Sequence, residues 1–203
     1  MIEIRHLNKT FGEREIFRDF SLTINDGDFV IISGASGKGK TTLLNIIGML
    51  ESFDSGELLV DGVALENEKA RREYWTAKVG FLFQNFALIE NKTVLYNLKI
   101  VKENARSESD VDEVLEKVGL LDKKDAKVHT LSGGEQQRIA LARLFLKKCD
   151  VVLADEPTGS LDKVNAELVM RLLDELNANG KTVVIVTHDE SFKTMGKRSV
   201  VEL

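Results

Sequence analysis

Two short runs carry the residue types that phosphate chemistry needs. Gly34-Ala35-Ser36-Gly37-Lys38-Gly39-Lys40-Thr41 fits the spacing G-x-x-x-x-G-K-[ST]. In such a loop backbone N–H groups surround phosphates, the lysine reaches the β/γ-phosphates and the hydroxyl ligates Mg2+. Gly34, Gly37 and Gly39 let the backbone curl with its N–H groups inward, which bulky residues resist. A helix beginning near Lys40 adds its positive dipole end. Lys38 stands where a small residue is more usual; its charge lies near phosphate or points into solvent, and solvent is expected. The second run, Leu131-Ser132-Gly133-Gly134-Glu135-Gln136-Gln137-Arg138, is a glycine-containing turn placed to open a long helix. It is a second source of N–H donors for phosphate.

Paired carboxylates follow. Val151-Val152-Leu153-Ala154-Asp155-Glu156 is an apolar strand ending in two acids. Asp155 sits where it holds Mg2+ through water, as the second acidic element of phosphate-loop enzymes does. Glu156 either accepts a proton from the water attacking a γ-phosphate or orients that water. Pro157, the single proline of the chain, fixes the exit of this strand, a job that a purely structural turn explains equally well. The single cysteine, Cys149, cannot form an internal disulfide and lies beside an apolar run. It reads as a buried structural thiol.

The elements that must position these groups alternate along the chain. Ile2–Asn8, Phe20–Ile24 and Phe29–Ser33 read as strands broken by the turn Asn25-Asp26-Gly27-Asp28. Phe29-Val30-Ile31-Ile32 is continuously apolar, as in a strand covered on both faces. It runs into the glycine loop, and Thr41–Leu50 reads as the helix beyond. Glu57–Val60 with Asp61-Gly62 suggests a hairpin, Glu66–Thr76 a charged helix, and Val79–Phe83 another buried strand. From Asn85 to Lys148 the pattern is helical. Val111, Val114, Leu115 and Val118 fall at helical spacing with Ser109 as the expected N-cap, and an amphipathic stretch runs from Gly134 to Lys148. Then come the strand Val151–Ala154, a helix over Lys163–Ala178 stopped by Asn179-Gly180, the strand Val183–Thr187 and a short terminal helix. Interleaved strands and helices predict an α/β core with a mainly parallel sheet, carrying a helical insertion.

The set Gly34–Thr42, Gln84, Leu131–Arg138, Asp155-Glu156, Ser160-Leu161-Asp162 and His188 resembles the ATP-binding cassette (ABC) ATPase family across essentially the full chain. The Leu-Ser-Gly-Gly-Glu-Gln-Gln-Arg run is its most specific part. The resemblance implies one cassette over residues 1–203: a P-loop NTPase core with an N-terminal antiparallel β subdomain (1–84 and 149–203), and an inserted α-helical subdomain (85–148). It implies ATP and Mg2+ as cofactors and a head-to-tail homodimer that sandwiches two ATP molecules. On that pattern Gly34, Ala35, Ser36, Gly37, Lys38, Gly39, Lys40, Thr41 and Thr42 hold phosphate on one subunit. Ser132, Gly133 and Gly134 contact the γ-phosphate from the other. Thr41, Gln84 and Asp155 meet the metal, and Gln84 also links the site to a membrane subunit. Lys40, Glu156, Gln84 and His188 serve catalysis, His188 by bonding the γ-phosphate. Ser160 and Asp162 belong to a loop crossing the dimer interface. Phe11 falls where an aromatic ring, more usually tyrosine, stacks on adenine.

Bulk properties narrow the partners. The chain has 203 residues, 43% hydrophobic and 30% charged, the composition of an ordinary globular domain. A net charge of -5 argues against general affinity for nucleic acid. No signal-peptide pattern or membrane-spanning run is present, so a cytoplasmic protein is expected; the resemblance to ABC ATPases implies that a separate permease holds it on the inner face of the membrane. The stretches Gln84–Ile89 and Gly180–Asp189 resemble the lipoprotein-releasing, macrolide-exporter and bacteriocin-export branch. Residues from about Phe86 to Leu98 then receive the permease's coupling helix, or are internal core of the helical segment. The alternative is a soluble or division-associated ABC ATPase that signals to a partner without transporting a substrate.

Overall fold

The computed structural model describes residues 1–65, 67–159, 161–189, 192 and 198–203. Strand β1 (Ile2–Phe11) pairs antiparallel with β2 (Arg14–Ile24) and with β4 (Ser55–Val60), which pairs in turn with β5 (Val63–Ala64). Their alternating apolar side chains, Ile2, Ile4, Leu58 and Val60 among them, face one core. The first hairpin is longer than the sequence predicts. Register shifts along β1 let its polar end stay paired as far as Phe11 opposite Arg14. The hairpin expected at Asp61-Gly62 is present, with φ of 52° and 74°, both positive as a tight hairpin turn requires.

Strand β3 (Phe29–Ser33) starts a second, parallel sheet. It leads through the glycine loop into helix α1 (Lys40–Ile47), which ends at Gly48 rather than at Leu50. The chain then reverses at Met49, φ 54°, and the Leu50 and Glu51 N–H groups donate back to the Asn45 carbonyl. Helix α2 (Glu68–Glu73) opens on Asn67, whose side chain accepts from the Ala70 N–H, and passes into a wider π-helical turn over Tyr74–Lys78. The Tyr74 hydroxyl donates to the Ile47 carbonyl at 2.9 Å and the Trp75 indole to the Gly48 carbonyl at 2.7 Å, which ties this turn to the end of α1. Strand β6 (Val79–Leu82) follows.

The middle segment is helical, as expected: α3 (Val94–Lys99), α4 (Val111–Lys117) and α5 (Gly133–Leu146), joined by short 3-10 turns. Asp110, not Ser109, caps α4, because its carboxylate accepts from the Asp112 and Glu113 N–H groups at 2.7 and 3.4 Å. Strand β7 (Val151–Asp155), helix α6 (Lys163–Ala178) and strand β8 (Thr182–Val186) complete the alternation. A further strand, β9 (Ser199–Glu202), pairs parallel with β3; the sequence signal for it is only two valines between polar neighbours. The terminal helix expected after His188 falls mainly on residues 190, 191 and 193–197, outside the described residues, as does Ser160.

The parallel sheet runs β6-β7-β8-β3-β9. Every residue of β3, β7 and β8 is buried. Period-2 alternation divides the side chains between two cores. Ile31, Val152, Ala154, Val183 and Ile185 pack with α5, α6 and the helical segment. Val30, Ile32, Val151, Leu153, Val184 and Val186 pack with α1 and the antiparallel sheet. The carboxyl ends of β3, β7 and β8 therefore open at one edge, where an open α/β sheet binds ligands.

Candidate active site

The glycine loop is held from outside. Gly34 has φ 140°, and a Cβ there would lie 2.5 Å from the Leu203 carbonyl oxygen. Gly39, the residue before α1, has φ 92°, and its Cβ would strike Ile16 Cγ2 at 2.5 Å and Phe17 Cζ at 2.9 Å. Only glycine fits both places. Lys40 is buried, and its Nζ donates to the Gly34 and Ala35 carbonyls at 2.8 and 3.0 Å. The ammonium is thus confined inside the loop, while Ala35, Ser36 and Lys38 are exposed.

A cleft runs along this loop, lined by Phe11, Arg14, Ile16, Gly37, Gly39, Lys40, Thr41 and Thr42. The β1–β2 register sets Phe11 opposite Arg14, and the Arg14 Nη2 donates to the Gly37 carbonyl at 2.5 Å. Arg14 was not legible as a site residue, since an arginine in a charged hairpin carries no signal of its own. Phe11 leaves 48% of its surface exposed.

At the end of β7 the two acids split their tasks. Asp155 is buried and its Oδ1 accepts from the Thr41 hydroxyl at 3.1 Å. Burial pushes its carboxyl above the ordinary value, against the Thr41 hydrogen bond that lowers it. Glu156 bends away with φ 46°, its N–H donating to the Val186 carbonyl at 2.9 Å. Its Oε2 lies 2.9 Å from Nδ1 of His188, which follows β8. The next carbonyl, that of Pro157, accepts from the buried Gln137 Nε2 at 2.8 Å, so α5 is fastened to this strand exit. Gln84 is exposed in the turn after β6. That turn contains Phe86 at φ 62° and Ala87 at φ 47°, and Arg143 of α5 donates to both of their carbonyls, at 2.8 and 2.6 Å.

Ser132 caps α5 through a capping box. Glu135 Oε2 accepts from the Ser132 N–H at 2.7 Å, and the Ser132 hydroxyl accepts from the Glu135 N–H at 3.3 Å. These bonds hold the Glu135 carboxyl below its ordinary value. Asp162 caps α6, accepting from the N–H and the side-chain amide of Asn165 at 2.9 and 2.6 Å. Arg138 donates to Asn165 Oδ1 at 2.7 Å, which joins the two helix starts. The structure therefore brings together Lys40, Thr41 and Asp155, and separately Glu156 and His188. Ser132, Gly133, Gly134, Gln84 and Asp162 are not among the residues lining the cleft. Cys149 is buried and burial raises its thiol, as a structural cysteine requires.

Of the three residues expected to meet magnesium, Thr41 and Asp155 are in contact, while Gln84 is exposed in the turn after β6. Among the described residues no group of three His, Cys, Asp or Glu gathers as an all-protein metal cage would need. That fits Mg2+, which takes one or two carboxylates and completes its shell with phosphate oxygens and water. No helix among the described residues is long and apolar enough to cross a membrane.

Comparison with known proteins agrees with this geometry. The ABC transporter family matches residues 17–159. A macrolide export ATP-binding/permease protein, MacB, of Aggregatibacter actinomycetemcomitans is 39% identical over 98% of the chain. The chain spans about 33% of that relative's length. A lipoprotein-releasing system ATP-binding protein, LolD, of Leptospira interrogans is 36% identical over 98% of the chain and 87% of its own length. Among solved structures, the dimeric bacterial ABC transporter cassette MJ0796 superimposes with a TM-score of 0.87 at 37% identity, covering 100% of this chain and 94% of the other. A dimeric post-hydrolysis state of the same cassette, bound to ADP and Pi, gives 0.86 at 36% identity, again over 100% and 94%. A cradle at the carboxyl edge of a parallel sheet, a glycine turn capping α5 and these likenesses together establish that the chain belongs to the ABC transporter family, as an ATP-binding cassette.

Proposed function

We propose that the chain binds and hydrolyses ATP to power a membrane permease of the exporter or lipoprotein-releasing kind. The observation that carries this reading is the convergence of Lys40, Thr41 and Asp155 beside the Glu156–His188 pair. The loop N–H groups of residues 34–42 and the Lys40 ammonium hold the phosphates. Thr41 and Asp155 hold Mg2+, with Gln84 brought to it, and the ion neutralises charge on the phosphate oxygens. Glu156 takes the proton of the attacking water, and His188 positions the Glu156 carboxylate and the γ-phosphate. Phe11 stacks on adenine.

The Ser132 turn completes the site from a second copy. It opens α5 at Gly133 and Gly134, where a helix start offers N–H donors that the capping box at Ser132 and Glu135 does not use, and it does not line the cleft of its own chain. A head-to-tail dimer satisfies both facts, with the segment at Asp162 crossing the interface. Residues 1–84 and 149–203 form the nucleotide-binding unit and 85–148 the helical unit. The chain sits at the inner face of the membrane through a separate permease and takes no nucleic acid as partner, consistent with its net charge of -5.

Size-exclusion chromatography with light scattering tests the dimer. With ATP and chelated magnesium, the full chain runs at twice its monomer mass. Lys40→Ala removes both ATP binding and the dimer, whereas Ser132→Arg removes the dimer and spares binding by the monomer. A dimer that persists unchanged in Ser132→Arg overturns the composite site.

A further inference from the structure

Among the described residues Lys9 is one of the few that are charged and buried, with 5% of its surface exposed, yet it belongs to none of the motifs above. It stands two residues before Phe11 on β1, with a register shift of the β1–β2 pairing between Lys9 and Thr10. Its Nζ stands 4.4 Å from the centroid of the Phe11 ring. The same ammonium donates to Glu51 Oε1 at 2.8 Å, and the Glu51 N–H is bonded to the Asn45 carbonyl near the end of α1. A buried lysine without a partner is costly, and here the partners are one carboxylate and one aromatic face.

Phe11 therefore has two unlike faces. One is covered by a cation anchored to the helix that begins at the phosphate loop. The ring nevertheless remains half exposed and lines the cleft. An end-of-strand phenylalanine that rotated freely would lose its stacking geometry most of the time. An ammonium fixed over one face holds the ring in a single orientation, because the attraction to the ring quadrupole falls away when the ring turns edge-on.

We propose that Lys9, clamped by Glu51, is a positioning residue for the base platform: it fixes the Phe11 ring so that the opposite face receives the adenine. The inference rests on the reading of Phe11 as the adenine-stacking residue. Through Lys9 and Glu51 the base platform and the phosphate helix become one rigid unit, which sets the span between base and phosphate subsites.

Calorimetric titration of the full chain, with magnesium chelated, separates the base contribution from the phosphate contribution by comparing ATP with inorganic tripolyphosphate. Lys9→Met keeps the apolar stem and removes the charge; it should weaken ATP about three- to tenfold and leave tripolyphosphate unchanged. Lys9→Arg should restore most of the loss. The paired variant Lys9→Met with Glu51→Gln, which leaves no carboxylate stranded, should behave like Lys9→Met and keeps the test available if the single variant fails to fold. Phe11→Ala should weaken ATP alone, and adding Lys9→Met to it should cause no further loss. If Phe11→Ala leaves ATP unchanged, the base-stacking reading itself fails. If Phe11→Ala weakens ATP but the lysine variants do not, or if they weaken ATP and tripolyphosphate equally, the positioning role is overturned.

Discussion

Replacing Glu156 by Gln isolates proton acceptance, because it removes one basic oxygen and almost no volume. The Glu156 backbone sits at φ 46°, a conformation that costs about 1–3 kcal/mol in a non-glycine residue. It is retained by the Val186 carbonyl and by His188 at 2.9 Å. Gln adopts the same backbone and keeps an amide oxygen or nitrogen facing His188, so the geometry of the site survives. What disappears is basicity. A positioned general base contributes about 10²–10⁴-fold, equivalent to about 2.7–5.4 kcal/mol of barrier. Glu156 does not line the cleft, so ATP affinity should change by less than about twofold. Steady-state phosphate release at saturating Mg-ATP, together with equilibrium ATP titration, measures both. A turnover within about tenfold of the parent refutes Glu156 as the base. An equal fall in affinity assigns the residue to binding instead. Glu156→Gly supplies the thermodynamic control: relief of the strained backbone should raise the melting temperature by about 2–4 °C per kcal/mol recovered, while turnover falls as in Glu156→Gln.

Three further outcomes follow from particular contacts. Gly39→Ala places a methyl 2.5 Å from Ile16 and 2.9 Å from Phe17 at φ 92°; thermal unfolding should show a loss of about 1–3 kcal/mol, and calorimetry a loss of ATP binding. Glu135→Gln removes the charge of the capping box and should cost about 0.5–1 kcal/mol at pH 7. The folded-state carboxyl is held below its ordinary 4.5, so its contribution is present above that value and vanishes as pH falls through the lowered one; denaturant melts at pH 7 and at the acid end of the stable range should show the two chains converging. Arg143→Met removes the fork from the Phe86 and Ala87 carbonyls; amide exchange over residues 85–90 should quicken about 10- to 100-fold, and unchanged exchange would mean that the turn is held by other contacts.

Much of the fold was legible because it is written in local periodicity. The helix over Lys163–Ala178 has the bounds the sequence predicts, ending at the Asn179-Gly180 stop. The Asp61-Gly62 hairpin follows from two residues that tolerate positive φ. The runs that became β3, β7 and β8 are apolar at every position but the last or the first, as strands buried on both faces must be. Helix ends were less legible. Asp110 displaced Ser109 as cap because two adjacent residues can both accept, and the one nearer the first turn wins. The π-helical turn at Tyr74–Lys78 depends on tertiary bonds to Ile47 and Gly48, which no local pattern encodes.

The chemistry of the site divides along the same line. Residue types and spacing alone determined the phosphate loop, the acid pair and the helix-opening glycine turn, because each is a contiguous stretch whose backbone geometry and charge follow from its own composition. Only the tertiary structure decided that Thr41 bonds Asp155, that Glu156 meets His188, that Arg14 grips Gly37, and that Lys9 lies between Phe11 and Glu51. Those partners are brought within 2.5–4.4 Å by sheet order and strand register. Such order is settled by how two hydrophobic cores close on opposite faces of one parallel sheet, a property of the whole chain rather than of any segment in it.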